Sequence, residues 1–456
     1  MSCPPWPEGK KLVHLDLKGA PPRVEYLHRL IELFSELDVD GLLVEYEDMF
    51  PYEGELKLLQ ATAQPAYSRD EVLFMQEFAR SKGMEVIPLV QTFGHMEFVL
   101  KHRSLGHLRE VAHCVGTLNP HKEEGVKLVM EMLRQVVELH PGLTMLHIGA
   151  DEVYMLGEGE ESKLWLASPG RTLEQLFLSH VIKVARAVKE AWPHLTIIMW
   201  DDMMRDMSLD TLKASGLVGL VQPMLWDYTP NLDVNKTVSL LEKYCSAGMS
   251  DLWAASSFKG STSVYTCVTS TQRHLDNHLQ WLNVAAALSP GVNLKGIAIT
   301  GWQRYDHLSV LCELIPVAIP SLTVCLQTLL HGQFSAEAHR KVTGKLGISS
   351  VEVEVLFPTA FRTYVADTVF PGRRLAEFIV ELNSLLNSEE IRFFESSYHL
   401  WIAVMLNPKN TSWQWVMSRC VEVICVLPIT TETQSRSFTE MWECAESSHR
   451  LQKFKI

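Results

Sequence analysis

The chain has 456 residues, of which 47% are hydrophobic and 21% are charged, and its formal net charge is −13 at pH 7. This composition is typical of a large globular protein, and the acidic balance argues against a surface that binds nucleic acid or an anionic membrane. The sequence contains no apolar run of about 18 residues, so we expect no transmembrane helix.

Eight stretches typical of buried parallel strands alternate with helical patterns from residue 12 to about residue 330. They are near-continuous apolar runs, as expected where helices cover both faces of a sheet. The predicted strands are 12–17, 41–46, 85–90, 144–149, 196–200, 219–226, 252–257 and 296–301. Two predicted helices between them are 68–82 and 173–191, and Ser68 with Glu71 forms a capping-box pattern at the start of the first.

About eight strand–helix units in roughly 320 residues are the pattern of a single (β/α)8 TIM barrel, an α/β fold. A doubly wound open sheet is the alternative, but it usually has a glycine-rich turn after its first strand. Here that turn is Lys18-Gly-Ala-Pro-Pro22, which is not glycine-rich. We therefore predict a barrel domain over residues 11–330.

Beyond residue 330 the strand pattern fades, while helical periodicity continues over 335–346 and 376–386. We predict that residues 331–456 form a mainly helical C-terminal region, whose last 40 or so residues also fit a partly disordered tail. The nine cysteines are scattered without a Cys-x-x-Cys pair, and no apolar segment typical of a signal peptide follows the first residues. Both features favour a cytosolic or nuclear protein with reduced thiols.

Polar and aromatic residues accumulate where the predicted strands end, which is the face of a TIM barrel that carries the active site. Three tryptophans, Trp200, Trp226 and Trp302, fall at such ends, and Tyr228 faces the same side as Trp226. Aromatic walls of this kind suit the C–H faces of a sugar ring. Asp16 and Glu45 at the ends of the first two strands are further candidates for substrate binding.

The fourth strand ends in two adjacent carboxylates, Asp151 and Glu152. They could simply cap a helix, but carboxylates beside aromatic walls fit glycoside hydrolysis. Because the two residues are neighbours, they suit substrate-assisted catalysis, in which the sugar's 2-acetamido oxygen attacks its own anomeric carbon. Asp151 would then orient the acetamido group, and Glu152 would act as general acid and later as general base. That role predicts a raised pKa for Glu152.

The stretch His147-Ile-Gly-Ala-Asp-Glu152 resembles the His-x-Gly-Gly/Ala-Asp-Glu signature of the β-N-acetylhexosaminidases of glycoside hydrolase family 20. The resemblance covers about residues 11–350 and includes 14–22, 45–53, 90–98 and 301–307. It implies a retaining exo-hydrolase that works without a cofactor or metal. The substrate would be a glycan with a terminal β-linked GalNAc or GlcNAc, in the cytoplasm and nucleus, and the enzyme could be a homodimer. The motifs are similar to those of a galactosaminide-preferring member, which favours GalNAc.

The same resemblance assigns roles to individual residues. It implies that Asp151 orients the acetamido group and that Glu152 donates the proton. The tryptophans at 200, 226 and 302 match the family's aromatic walls, and Tyr228 matches the tyrosine that hydrogen-bonds the acetamido oxygen. His95 matches the histidine of the family's Pro-Gly-His turn.

Two positions depart from the family pattern. Lys11 stands where the family has an arginine that clamps sugar hydroxyls, and a lysine cannot make that forked contact. Arg304 stands where the family has a glutamate, so recognition of the O4 and O6 hydroxyls is open.

Two other functions remain as alternatives. His14 and Asp16 form a His-x-Asp pair like that of zinc amidohydrolases, although no histidine ends the fifth or sixth strand. A sugar-binding barrel without catalysis is the second alternative, against which the intact Asp151–Glu152 pair argues.

Overall fold

The computed structural model describes residues 4–62, 65–348, 350–351 and 370–389. Eight strands in this part close into one barrel in chain order, with every neighbouring pair parallel. They are β1 (Lys10–Asp16), β2 (Gly41–Glu45), β3 (Glu85–Leu89), β4 (Met145–His147), β5 (Thr196–Trp200), β6 (Val221–Trp226), β7 (Asp251–Lys259) and β8 (Asn293–Gly301). The predicted TIM barrel is confirmed, and every predicted strand is present.

Helices follow the strands along the chain. They are α1 (Val24–Glu36), α2 (Arg69–Ser81), α3 (Glu97–Leu100), α4 (Glu123–Glu138), α5 (Glu160–Leu166), α6 (Leu173–Ala191), α7 (Leu209–Ala214), α8 (Val234–Ser246), α9 (Thr271–Ala287), α10 (Ile315–His331), α11 (Ala336–Leu346) and α12 (Arg373–Leu386). The predicted capping box starts α2, since Glu71 N–H donates to Ser68 Oγ and Ser68 N–H donates to Glu71 Oε2. Among the described helices, none is long and apolar enough to cross a membrane.

The interior of the barrel is filled by apolar side chains from its strands. Leu12, Leu43, Ile87 and Ile198 are buried there together with Trp200. Each such side chain contributes roughly 1.5–3 kcal/mol when it is fully removed from water. Trp226 and Trp302 border this core and are only partly buried. The packed interior therefore provides a rigid floor below the carboxyl ends of the strands.

The chain divides into two compact units, Met1–Glu377 and Phe378–Ile456. The helices predicted over 335–346 and 376–386 correspond to α11 and α12. The predicted domain boundary between residues 330 and 331 stays a prediction. The predicted tail, which covers about the last 40 residues, lies outside the described part of the chain.

Candidate active site

A pocket of about 320 Å³ opens at the carboxyl ends of the barrel strands, where the sequence predicts the site. Every strand contributes to its lining, either through its last residue or through the loop that follows it. Eight of the nine predicted site residues line it: Glu45, His95, Asp151, Glu152, Trp200, Trp226, Tyr228 and Trp302. The ninth, Asp16, does not.

Aromatic rings form the walls of this pocket. The ring centroids of Trp200 and Trp302 lie 6.0 Å apart, and Trp226 stacks on Tyr228 at 5.3 Å. Trp200 also packs against His147 at 4.5 Å, so the end of β4 supports it from below. Burial raises the pKa of Tyr228, so its hydroxyl keeps its proton at neutral pH and can donate a hydrogen bond.

His95 lies between the two adjacent carboxylates. Its Nε2 is 3.6 Å from Asp151 Oδ2 and donates to Glu152 Oε2 at 3.1 Å. Asp151 is buried, and its Oδ1 has no hydrogen-bond partner among the described residues. An oxygen buried at a pocket wall without a partner is suited to accept a hydrogen bond from a ligand.

Burial raises the pKa of Asp151 to about 7, although the positive charge of His95 opposes that shift. For Glu152, burial also favours the neutral acid, but the hydrogen bonds from His95 and Tyr154 outweigh it and lower the pKa. The prediction of a raised pKa for Glu152 is therefore wrong. Burial lowers the pKa of His95, but Asp151 and Glu152 together raise it to about 10, so the ring is charged at neutral pH.

The backbone that carries these residues is in an unusual conformation. Ala150, Glu152 and His95 have positive φ angles of 69°, 43° and 49°, in the region that L-residues avoid. Gly94 lies against the carboxylate turn so closely that a β-carbon there would meet the Asp151 carbonyl oxygen at 2.0 Å. Glycine at position 94 thus allows the loop after β3 to bring His95 to both carboxylates.

Asp202 supports the catalytic turn from the neighbouring loop. Its Oδ2 accepts a hydrogen bond from the Glu152 backbone N–H at 2.9 Å, and its Oδ1 accepts one from Trp226 Nε1 at 3.2 Å. Asp201 is buried and bonds Arg205 at 2.8 Å, so it holds the loop.

Asp16 lies behind the pocket wall, where it supports Lys18. Its Oδ2 is 2.8 Å from Lys18 Nζ and accepts from the Gln303 backbone N–H at 2.7 Å. Lys18 lines the pocket, and the sequence interpretation missed it. Glu45 lies close by; burial raises its pKa, but the charge of Lys18 and the bond from His14 lower it to about 2.

Of the two residues that depart from the family pattern, Arg304 lies at the pocket and Lys11 does not. Lys11 Nζ is 2.7 Å from Asp40 Oδ2, at the amino ends of β1 and β2, away from the pocket. Arg304 lines the pocket, and its Nη1 donates to the His307 carbonyl oxygen at 3.0 Å. Lys18 and Arg304 are therefore the cations that reach the pocket on the side of β1 and β8.

Both residues of the His-x-Asp pair, His14 and Asp16, make contacts within the protein. His14 Nε2 is 3.2 Å from Glu45 Oε2, and its Nδ1 accepts from the Gly301 N–H at 3.3 Å. In the described part of the chain, no group of three or more His, Cys, Asp or Glu side chains is arranged to hold a metal ion. These contacts give the zinc alternative no support.

Comparison with known proteins agrees with the geometry. The profile of the glycosyl hydrolase family 20 catalytic domain matches residues 38–235. Over 342 residues the chain is 55% identical to hexosaminidase D of Bos taurus. This match covers 75% of this chain and 98% of the bovine protein. It is also 55% identical to hexosaminidase D of Homo sapiens, over 75% of this chain and 70% of that protein.

Among solved structures, a β-N-acetylhexosaminidase from Bacteroides fragilis is similar in fold, with a TM-score of 0.55 and 14% sequence identity. The match covers 74% of this chain and 70% of the bacterial chain.

Proposed function

The chain belongs to glycosyl hydrolase family 20 and is a β-N-acetylhexosaminidase, and from this premise we propose that it works by substrate-assisted catalysis. We propose further that it removes one terminal β-linked N-acetylhexosamine at a time with retention at the anomeric carbon. The observation that carries the mechanism is Asp151, a buried carboxylate at the wall of an aromatic pocket, whose Oδ1 has no partner among the residues that the structure describes.

In this mechanism the acetamido group of the sugar enters between the tryptophans. Its N–H donates to Asp151, and the Tyr228 hydroxyl donates to its carbonyl oxygen. That oxygen attacks the anomeric carbon as the glycosidic bond breaks, and positive charge develops on the acetamido nitrogen. The ionised Asp151 stabilises this charge in a site from which water is excluded.

The proton on the carboxylate pair has to change place when substrate binds. Among the protein groups alone, the raised pKa belongs to Asp151 and the lowered one to Glu152, so a single proton on the pair resides mainly on Asp151. A hydrogen bond from the acetamido N–H favours the ionised form of Asp151, and a bound sugar removes water from Glu152. Both effects move the proton to Glu152, where the general acid needs it.

Glu152 then protonates the glycosidic oxygen, and the aglycone leaves as an alcohol. The resulting carboxylate accepts a proton from a water molecule, which attacks the anomeric carbon and reopens the cyclised intermediate. The second inversion restores the β configuration and leaves Glu152 protonated, so atoms and charges balance over the cycle.

The sugar preferred is proposed to be GalNAc, on the strength of the motif resemblance. Lys18 and Arg304 line the pocket on the side of β1 and β8, and we propose that they supply charged partners for the 4-hydroxyl, the one hydroxyl whose configuration differs between GalNAc and GlcNAc. The scattered cysteines support the proposal that the enzyme works in the cytoplasm and nucleus on glycans with a terminal N-acetylhexosamine. A homodimer is proposed from the resemblance alone.

The test is hydrolysis of nitrophenyl β-GalNAc and β-GlcNAc, with and without a chelator, followed by inhibition with a thiazoline that mimics the cyclised intermediate. We expect faster release from β-GalNAc, no effect of the chelator, and inhibition far tighter than the binding of substrate. Loss of activity with chelator would favour the zinc alternative. Absence of turnover by the folded protein would favour the sugar-binding one, and inhibition only at millimolar thiazoline would contradict acetamido participation.

A further inference from the structure

Two tyrosines meet across the mouth of the pocket. Tyr154 follows β4, two residues after Glu152, and Tyr305 follows β8, next to Arg304. Their hydroxyl oxygens are 2.8 Å apart. In a closed barrel of eight strands, β4 and β8 lie on opposite sides, so the hydrogen bond joins two opposite loops.

The position of Tyr154 is fixed by its own backbone. Its N–H donates to the Glu152 carbonyl at 2.8 Å, and Thr117 Oγ1 donates to its carbonyl oxygen at 2.5 Å. Its ring meets His95 edge-on, with 6.5 Å between centroids. Despite this support Tyr154 is 47% exposed, and Tyr305 is 50% exposed. Two large aromatic surfaces therefore face solvent beside the catalytic carboxylates.

The location of the leaving group follows from the role of Glu152, and this step rests on the proposed function. A general acid must lie within hydrogen-bond reach of the glycosidic oxygen. The terminal sugar fills the pocket below, so the group attached to that oxygen extends from Glu152 toward the mouth. Tyr154 and Tyr305 are the aromatic residues at that position.

We infer that Tyr154 and Tyr305 form the subsite for the second sugar, the one to which the terminal N-acetylhexosamine is linked. An aromatic ring binds the C–H face of a pyranose, and a phenol hydroxyl both donates and accepts hydrogen bonds with ring hydroxyls. The two hydroxyls, which bond each other in the structure, are the groups that we expect to bond the hydroxyls of the second sugar. Specificity for the leaving sugar thus depends on side chains outside the terminal-sugar pocket.

Tyr305 is the better residue for a test, because Tyr154 also hydrogen-bonds Glu152. The experiment compares kcat/KM for two glycosides of the preferred N-acetylhexosamine, the methyl β-glycoside and the β1,4-linked disaccharide with galactose. Both leaving groups are alcohols that need protonation. Only the leaving group of the disaccharide is a sugar ring that the two tyrosines could bind. The variants are Tyr305→Ala and Tyr305→Phe, with Tyr265→Ala as the matched control, because Tyr265 is 75% exposed and does not line the pocket.

Tyr305→Ala should lower kcat/KM for the disaccharide roughly 5–10-fold and leave the methyl glycoside within about twofold, the size of one lost aromatic contact. Tyr305→Phe should lower kcat/KM for the disaccharide by a smaller factor, and Tyr265→Ala should leave it unchanged. Equal losses on both substrates, or no loss on either, would overturn the subsite while leaving the proposed hydrolase in place. A wild-type enzyme that hydrolyses nitrophenyl glycosides but neither alkyl glycoside would also overturn it. No turnover of any glycoside would refute the proposed function itself.

Discussion

Replacing Asp151 by asparagine should make the folded protein more stable at alkaline pH while abolishing most activity. Burial raises the pKa of Asp151 from 3.8 to about 7, so the native state resists its ionisation while the unfolded chain does not. Between those two values each pH unit corresponds to about 1.4 kcal/mol of stability. The folded state therefore loses up to about 4 kcal/mol as pH rises from 4 to above 7, and a neutral amide of the same shape avoids that loss.

The measurement is the free energy of unfolding in urea, followed by tryptophan fluorescence, at pH 4, 6 and 8. Asp151→Asn should match the wild type near pH 4 and exceed it by roughly 2–4 kcal/mol at pH 8. Asp206→Asn is the control, since Asp206 is exposed and its removal changes net charge equally. A pH-independent difference, or a less stable Asp151→Asn at pH 8, would show that the native pocket does not disfavour the Asp151 carboxylate.

Three further predictions concern activity. Glu152→Gln should reduce turnover of alkyl glycosides by roughly 10²–10⁴-fold and of nitrophenyl glycosides much less, and near-normal rates on alkyl substrates would mean that another residue is the acid. The value of kcat/KM should fall as pH rises through about 7, because Asp151 there loses the last proton held by the Asp151–Glu152 pair. A profile that is flat from pH 6 to 8.5 would contradict a pKa of about 7 for Asp151. Asp202→Ala removes the acceptor for the Glu152 N–H and Trp226 Nε1 and should lower kcat by ~10–10²-fold. An unchanged kcat would show that the turn keeps its geometry without Asp202.

The barrel could be predicted because its signals are local. The apolar runs mark the position of each strand to within about three residues at either end, and β5 (Thr196–Trp200) has the predicted bounds. The predicted strand over 144–149 is shorter in the structure, because Gly149 and Ala150 have φ angles of 64° and 69° and leave the extended conformation. The sequence pattern contains no sign of that change, since both residues are small enough to end a strand in either conformation.

The site was predicted mainly from the rule that functional residues lie at the carboxyl ends of strands. That rule also applies to Lys18, which follows β1, but a lysine beside a turn has no pattern that separates it from a surface residue. The direction of the Glu152 pKa could not be predicted, because it depends on a hydrogen bond from His95, 57 residues earlier in the chain. Contacts between loops after different strands determine such shifts, and sequence spacing carries no record of them.

The backbone at the end of β4 explains how two adjacent carboxylates can serve one substrate. Successive residues of an extended strand point to opposite faces, so a longer β4 would direct Asp151 and Glu152 apart. The strand instead ends at His147, and positive φ angles at Ala150 and Glu152 turn both side chains toward His95. Each such residue costs roughly 1–2 kcal/mol, and the contacts of the turn with Gly94 and Asp202 hold it in place. The turn also places the pair in unequal surroundings, Asp151 buried and Glu152 partly open to solvent. That difference lets neighbouring groups of nearly the same chemistry take the separate tasks of stabilising charge and transferring the proton.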